Sequence, residues 1–177
     1  VLVIYRGGCA INCRYCFRRH FPYQENTLTA RDFDGLVSYL KAHPEVNEVI
    51  LSGGDPLMAD DQALSGLFVR LESVSSIHRL RIHTRLPIVI PERVTDTLCQ
   101  TIAATTLPVV MVLHSNHANE IDQSVMDAVS QLRGDYSPCF HSFGKSLAWE
   151  QQQAQAQPMP INKGKPMIDN TSSIGRR

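Results

Sequence analysis

The sequence predicts an α/β protein built on a parallel sheet, and three observations carry that reading. Short apolar runs alternate four times with stretches whose apolar residues recur at helical spacing. Each run is followed by a helical stretch before the next run begins, the order of successive βαβ units. The 177 residues, 43% of them hydrophobic, are enough for one ordinary domain with a real core.

The first strand is the run at residues 1–5, almost wholly apolar and therefore expected to be covered on both faces. Residues 29–43 read as a helix, because Phe33, Leu36, Val37 and Leu40 follow the i, i+3, i+4, i+7 template and Thr29 with Asp32 resembles a capping box. The second strand, "EVILS" at 48–52, runs into Gly53 and Gly54. A second helix starts near Asp60, with Leu64, Leu67, Phe68, Leu71 and Val74 on one stripe and Asp60 and Asp61 as N-terminal charges. "HRLRIH" at 78–83 is the third strand. Pro91 is placed as the first residue of a third helix carrying Val94, Leu98 and Ile102. "LPVVMVLH" at 107–114 is the fourth strand, buried, and Asn119 is expected to cap a helix that turns Ile121, Val125, Ala128, Val129 and Leu132 inward.

Composition excludes several classes of function. Seventeen basic residues balance seventeen acidic ones, so bulk charge makes no case for nucleic acid or an anionic membrane. No apolar run approaches the roughly 20 residues a membrane span needs, and no signal-peptide pattern opens the chain. A cytoplasmic location with reduced cysteines is the expectation.

Three of the five cysteines stand in "GGCAINCRYCFRRHFPY", as Cys9, Cys13 and Cys16 in a C-x3-C-x2-C spacing on the loop after the first strand. Soft thiolates on one short loop select zinc, copper(I) or iron–sulfur. A structural zinc site closes with four ligands, whereas Cys99 and Cys139 are isolated, so a zinc ion would need a borrowed ligand. A four-iron cluster on three cysteines leaves one iron open. The Gly53–Gly54–Asp55 turn after Ser52 also suits an ordinary βα loop.

The cysteine spacing, with the aromatic Tyr15 before the third cysteine, resembles the radical S-adenosylmethionine (SAM) superfamily, whose core is a full or partial βα barrel. "CRYCFRRHFPY", "SGGDPLM", "RIHTRLPIVIPERVT" and "HSNHANEI" together resemble the lysine 2,3-aminomutase family. The likeness is greatest to its branch that makes (R)-β-lysine for attachment to elongation factor P. The resemblance implies an α/β partial radical SAM barrel of about four βα units over residues 1–133. It implies a [4Fe–4S] cluster on Cys9, Cys13 and Cys16, with SAM chelated at the open iron and cleaved, by an electron from a reductant protein, to a radical that takes hydrogen from lysine. By the same resemblance Tyr15 lies against the adenine, a packed loop aromatic being the alternative. Ser52, Gly53, Gly54 and Asp55 form the SAM-amino-group motif, where glycine lets backbone approach the ligand; this turn is expected to serve SAM rather than the cluster. Arg18 matches the arginine that holds the substrate carboxylate. Arg14 and Arg19 read as solvated loop charges. His114, Asn116 and His117, and with them His83, Thr84 and Arg85, end strands at the same mouth, either as pocket residues or as hydrogen-bonded strand-end groups.

The family also uses pyridoxal phosphate (PLP) on a lysine in its C-terminal part. Lys145, Lys163 and Lys165 are the lysines of the tail, and none stands in a segment matching that region, so no PLP lysine is assigned and the catalytic residue is unknown. After Arg133 the chain reads "GDYSPCFHSFGKSLAWEQQQ" where the family continues its barrel, and the helical region the family places before its first barrel strand is not matched. Loss of pattern after Leu132 is what a frameshift or a wrongly joined reading frame would produce. Residues 134–177, with "EQQQAQAQPMPINKGKP", read as a low-complexity, disordered tail, a short helix over 146–155 being the alternative. The expectation is a truncated radical SAM isomerase, inactive as an aminomutase in this form. The alternatives are a radical SAM enzyme without PLP and a noncatalytic metal-binding module.

Overall fold

The computed structural model describes residues 1–14, 16, 20–22 and 32–134. In chain order they form β1 (Leu2–Arg6), α1 (Asp32–Ala42), β2 (Glu48–Gly53), α2 (Asp61–Glu72), β3 (Arg79–Thr84), α3 (Leu86–Val89), α4 (Asp96–Ala104), β4 (Val109–Leu113) and α5 (Gln123–Arg133). Single 3-10 turns stand at Pro56–Met58, Pro91–Arg93 and Ala118–Glu120. Thr29, Cys139 and the tail from 135 onward lie outside the described residues.

The four strands pair in parallel in the order β1-β2-β3-β4. Register carries Val3 opposite Leu51, Leu51 opposite Ile82 and Ile82 opposite Met111, a buried line across one face of the sheet. That face shares a single core with Leu40 of α1, Leu64 and Phe68 of α2, Leu98 and Ile102 of α4, and Ala128 and Leu132 of α5. Side chains alternate along a strand, so the other face carries Ile4, Ile50, Arg81, His83, Val110 and Val112, all half-buried. The expectation that the first strand is covered on both faces is therefore corrected, since Leu2 is 49% exposed. Helices against one face of a sequentially ordered parallel sheet are the arrangement of consecutive barrel units, not of a doubly wound sheet.

Two helix starts also differ from expectation. Pro91 opens only the 3-10 turn, and α4 begins five residues later, because the Thr95 hydroxyl accepts the Leu98 N–H (3.1 Å) and sets the cap there. Asn119 lies inside the Ala118–Glu120 turn, and α5 is capped by Asp122, whose Oδ1 accepts the Val125 N–H (3.0 Å). At α2 the reading holds: Asp60 Oδ1 accepts the Ala63 N–H (2.7 Å), with Asp61 in the first turn. Val74 sits just past the end of α2, yet is buried in the same core.

Burial predicts where substitutions act. Leu80, with no exposure on central β3, should cost about 2–5 kcal/mol as Leu80→Ala, by lost transfer energy and the cavity left behind. Val69, 62% exposed on α2, should change stability by no more than about 0.5 kcal/mol as Val69→Ala. Urea-unfolding midpoints of the two variants, measured beside the parent chain, check both.

Candidate functional site

Parallel strands send their loops to one edge, and here that edge holds a cavity of about 250 Å³. Cys9, Cys13 and Cys16 line it from the loop after β1, and Ser52, Gly53, Gly54 and Asp55 line it from the end of β2. His83, Thr84 and Arg85 enter from the end of β3, and His114 and Asn116 from the end of β4. The His83 and His114 rings stand 5.7 Å apart across those two strands. Ala10, Ile11, Leu86 and Val89 supply apolar wall. His117 is not among the lining residues; it is exposed, and its Nδ1 accepts the Asn119 N–H (3.1 Å). Tyr15, Arg18 and Arg19 lie outside the described residues.

The two glycines owe their places to the neighbouring loop. Gly53 has φ +113°, and a Cβ there would stand 2.6 Å from the Arg6 carbonyl oxygen and 2.9 Å from Ile4 Cγ2. A Cβ on Gly54 would meet the Gly8 backbone, at 2.6 Å from its carbonyl carbon and 2.8 Å from its nitrogen. Two hydrogen bonds hold this closeness, from Gly54 N–H to Arg6 O (2.7 Å) and from Asp55 N–H to Gly8 O (2.8 Å). The absent side chains make room for the start of the cysteine loop, one residue before Cys9, rather than for a ligand alone. Next along that loop, the Cys16 N–H donates to Cys13 O (3.2 Å), a tight turn that keeps both thiols at the cavity.

Asp55, 4% exposed, is also engaged by the protein itself. Its Oδ1 accepts from the Thr84 hydroxyl (2.6 Å) and Leu57 N–H (3.0 Å), and its Oδ2 from Arg85 N–H (2.7 Å) and Leu86 N–H (3.0 Å). The carboxylate thus caps α3 from another loop and ties the end of β2 to the end of β3. The turn beyond it is fastened by Arg93, which donates to Leu57 O and Ala59 O (both 2.9 Å) and pairs with Asp61 (2.6 Å).

Arg85 and Glu120 complete the edge. One terminal nitrogen of Arg85 donates to Cys13 Sγ (3.3 Å) and the other to Glu120 Oε1 (2.5 Å). Glu120 Oε2 accepts the Asn116 N–H (2.8 Å) and the Ser115 hydroxyl (3.1 Å). Burial raises the Glu120 carboxyl, but those donors and the Arg85 charge outweigh it and hold it below the ordinary glutamate range. Sequence reasoning missed Glu120 and α3, although "HSNHANEI" contains the one and "RLPIV" the other. Cys99 is a different kind of cysteine: burial in α4, then the Asp96 and Asp61 charges, push its thiol up, as for an inert core group.

Two outcomes follow from this geometry. Gly54→Ala should cost about 1–3 kcal/mol and displace the cysteine loop, so that bound iron falls with it, whereas Gly8→Ala, whose Cβ meets nothing within 4 Å, should leave both unchanged. Thermal melts and iron analysis of the two variants check this. Glu120, whose carboxyl is held low, lends stability that is fully present above its ordinary value of 4.5 and is lost as pH falls through the lowered one. The melting deficit of Glu120→Gln should accordingly be clear at pH 7 and vanish in acid.

Most of the described chain is similar to known proteins. Residues 3–109 match the Radical SAM superfamily profile. The chain is 53% identical over 132 residues to the L-lysine 2,3-aminomutase of Escherichia coli (strain K12), and 54% identical over 132 residues to that of Haemophilus influenzae. The protein of that name from Buchnera aphidicola subsp. Baizongia pistaciae is 46% identical over 132 residues. Each alignment takes in 75% of this chain but 39% of the relative, so the chain spans well under half the length of these curated proteins. The matched stretch contains the three cysteines, the Gly53–Gly54 turn and the Arg85 corner, and on that match the chain belongs to the radical SAM superfamily.

Proposed function

We propose that Cys9, Cys13 and Cys16 hold a [4Fe–4S] cluster whose open iron takes SAM, as part of an isomerase of the lysine 2,3-aminomutase type. One observation carries this reading: three thiols from one loop share a single cavity with the glycine turn and two further strand ends. The donors fit the group, since soft sulfur on a cavity partly walled by apolar side chains suits iron–sulfur. Among the described residues no three His, Cys, Asp or Glu side chains are grouped tightly enough for one metal ion, a demand that thiolates on separate irons do not have to meet.

Bound there, cluster and SAM would supply one-electron chemistry that side chains lack. The chain's own residues orient and shield. Asp55 and the glycine turn set the wall of the cavity, and His114 and Asn116 offer polar atoms at its mouth. Leu86, buried, and Val89 give part of it an apolar wall. Arg18 as the carboxylate fork for lysine, and Tyr15 against the adenine, rest on family resemblance. So do a reductant protein as electron source, a cytoplasmic setting, and (R)-β-lysine passed on to elongation factor P. No helix among the described residues is long and apolar enough to cross a membrane.

PLP does not fit the residues described. Lys41, the one lysine among them, is exposed in the last turn of α1 and does not line the cavity. A second reading, a radical SAM enzyme that works without PLP, needs only the cysteine loop and the Ser52–Asp55 turn, both of which line the cavity.

Anaerobic reconstitution tests the cluster. About four irons and four sulfides per chain are expected, lost in Cys9→Ala, Cys13→Ala and Cys16→Ala and kept in Cys99→Ala. Zinc without sulfide would replace the proposal with a noncatalytic module. Chromatography after incubation with SAM, reductant, lysine and PLP separates the enzyme readings when it is run on a chain extended to the full length of the matched relatives: there β-lysine supports the aminomutase, and 5′-deoxyadenosine without β-lysine supports the second.

A further inference from the structure

Arg85 is gripped on three sides, and its guanidinium has no part in the function proposed above. Its backbone N–H is held by Asp55 (2.7 Å), one terminal nitrogen by Glu120 (2.5 Å), and the other faces Cys13 Sγ at 3.3 Å. The side chain is 12% exposed, and it is the one arginine or lysine among the described residues that line the cavity. Its Nε is buried without a hydrogen-bond partner, so the two terminal nitrogens carry the pairing of this cation, and one of their two partners is a thiol rather than an oxygen.

We propose that Arg85 is a positioning residue for the cluster: it fixes the Cys13 thiolate through a charged N–H···S hydrogen bond and thereby eases reduction of the cluster. The inference rests on the cluster reading above and adds to it a role for a residue at the end of β3. The planar fork explains the residue type, since one terminal nitrogen can stay on Glu120 while the other addresses sulfur, which a lysine ammonium on a flexible stem does not reproduce. Glu120 is itself oriented by Asn116 N–H and the Ser115 hydroxyl, so the aim of Arg85 is set from the loop after β4. The chain of contacts joins the loops of β1, β3 and β4 at one sulfur. A four-iron cluster on three thiolates is an anion, and reduction adds further negative charge. A cationic donor on a ligand sulfur stabilises the reduced form more than the oxidised one, raising the potential. Arg81, two residues earlier on β3, offers the contrast: it pairs with Glu48 (2.8 Å) and does not line the cavity.

The test is a redox titration, followed by electron paramagnetic resonance, of the full 177-residue chain reconstituted with iron and sulfide, without SAM. Arg85→Met should keep its iron and shift the midpoint downward by about 59 mV, the one-electron equivalent of a tenfold loss in the reduction equilibrium. Arg85→Lys should shift it in the same direction by less, and Arg81→Met should not shift it. A parent midpoint in Arg85→Met at full iron content would overturn the role of Arg85 alone. If Arg85→Met takes up no cluster, Arg85→Lys decides, a lowered midpoint supporting the proposal and a parent midpoint overturning it. A parent chain that takes up no cluster overturns the underlying reading instead.

Discussion

The Asp55 carboxylate is the joint on which the functional edge depends. Four protein donors converge on it in a site almost closed to water, and three of them belong to residues 29 to 31 positions later in the chain. Without it, the Thr84 hydroxyl and the Arg85 N–H would be left unsatisfied under cover, each at a desolvation cost of about 1–3 kcal/mol, and the Leu86 N–H would keep only Thr84 Oγ1 (3.0 Å). The backbone of Asp55 reaches the other way, its N–H held by Gly8 O, so one residue clasps the loops that follow β1, β2 and β3. The position of the thiols, the corner at Arg85 and the start of α3 all follow from that clasp.

Stability and chemistry are divided between the two sides of each strand and its end. The helix-facing positions form one apolar core that runs through every strand and through α1, α2, α4 and α5. The opposite positions are half-buried and mix apolar groups with charge, as where Glu48 bridges Arg81 and Arg79 of the neighbouring strand. The strand ends carry sulfur, imidazole, hydroxyl and guanidinium. A rigid sheet can hold such groups in fixed relation because none of them is asked to supply the core.

Local signals made much of this legible. The stripe of Leu64, Leu67, Phe68 and Leu71, the cap at Asp60 and the alternation of four strands each depend on residues a few positions apart. The cysteine loop was placeable at a strand's carboxyl end for the same reason. Competing local signals misled: Pro91 and Asn119 are both acceptable helix starts, and Thr95 and Asp122 win because their side chains bond an N–H three residues on. The exposure of Leu2 was illegible, since a strand's own residues do not say whether helices lie on one face or two. The Asp55 and Arg85 contacts were out of reach because their partners lie across the fold.

The glycine turn shows why a short motif can be more informative than its length suggests. Gly–Gly–Asp is common in βα loops, and sequence alone points to ligand access as the reason for the missing side chains. In the folded chain the space a Cβ would take at Gly54 is already filled by Gly8. The turn is therefore a steric condition on the cysteine loop: thiols at the right spacing would still be misplaced if that backbone could not approach. Cysteine spacing and glycine pair are then one device written in two places, joined by two backbone hydrogen bonds, and neither is sufficient evidence of the site without the other.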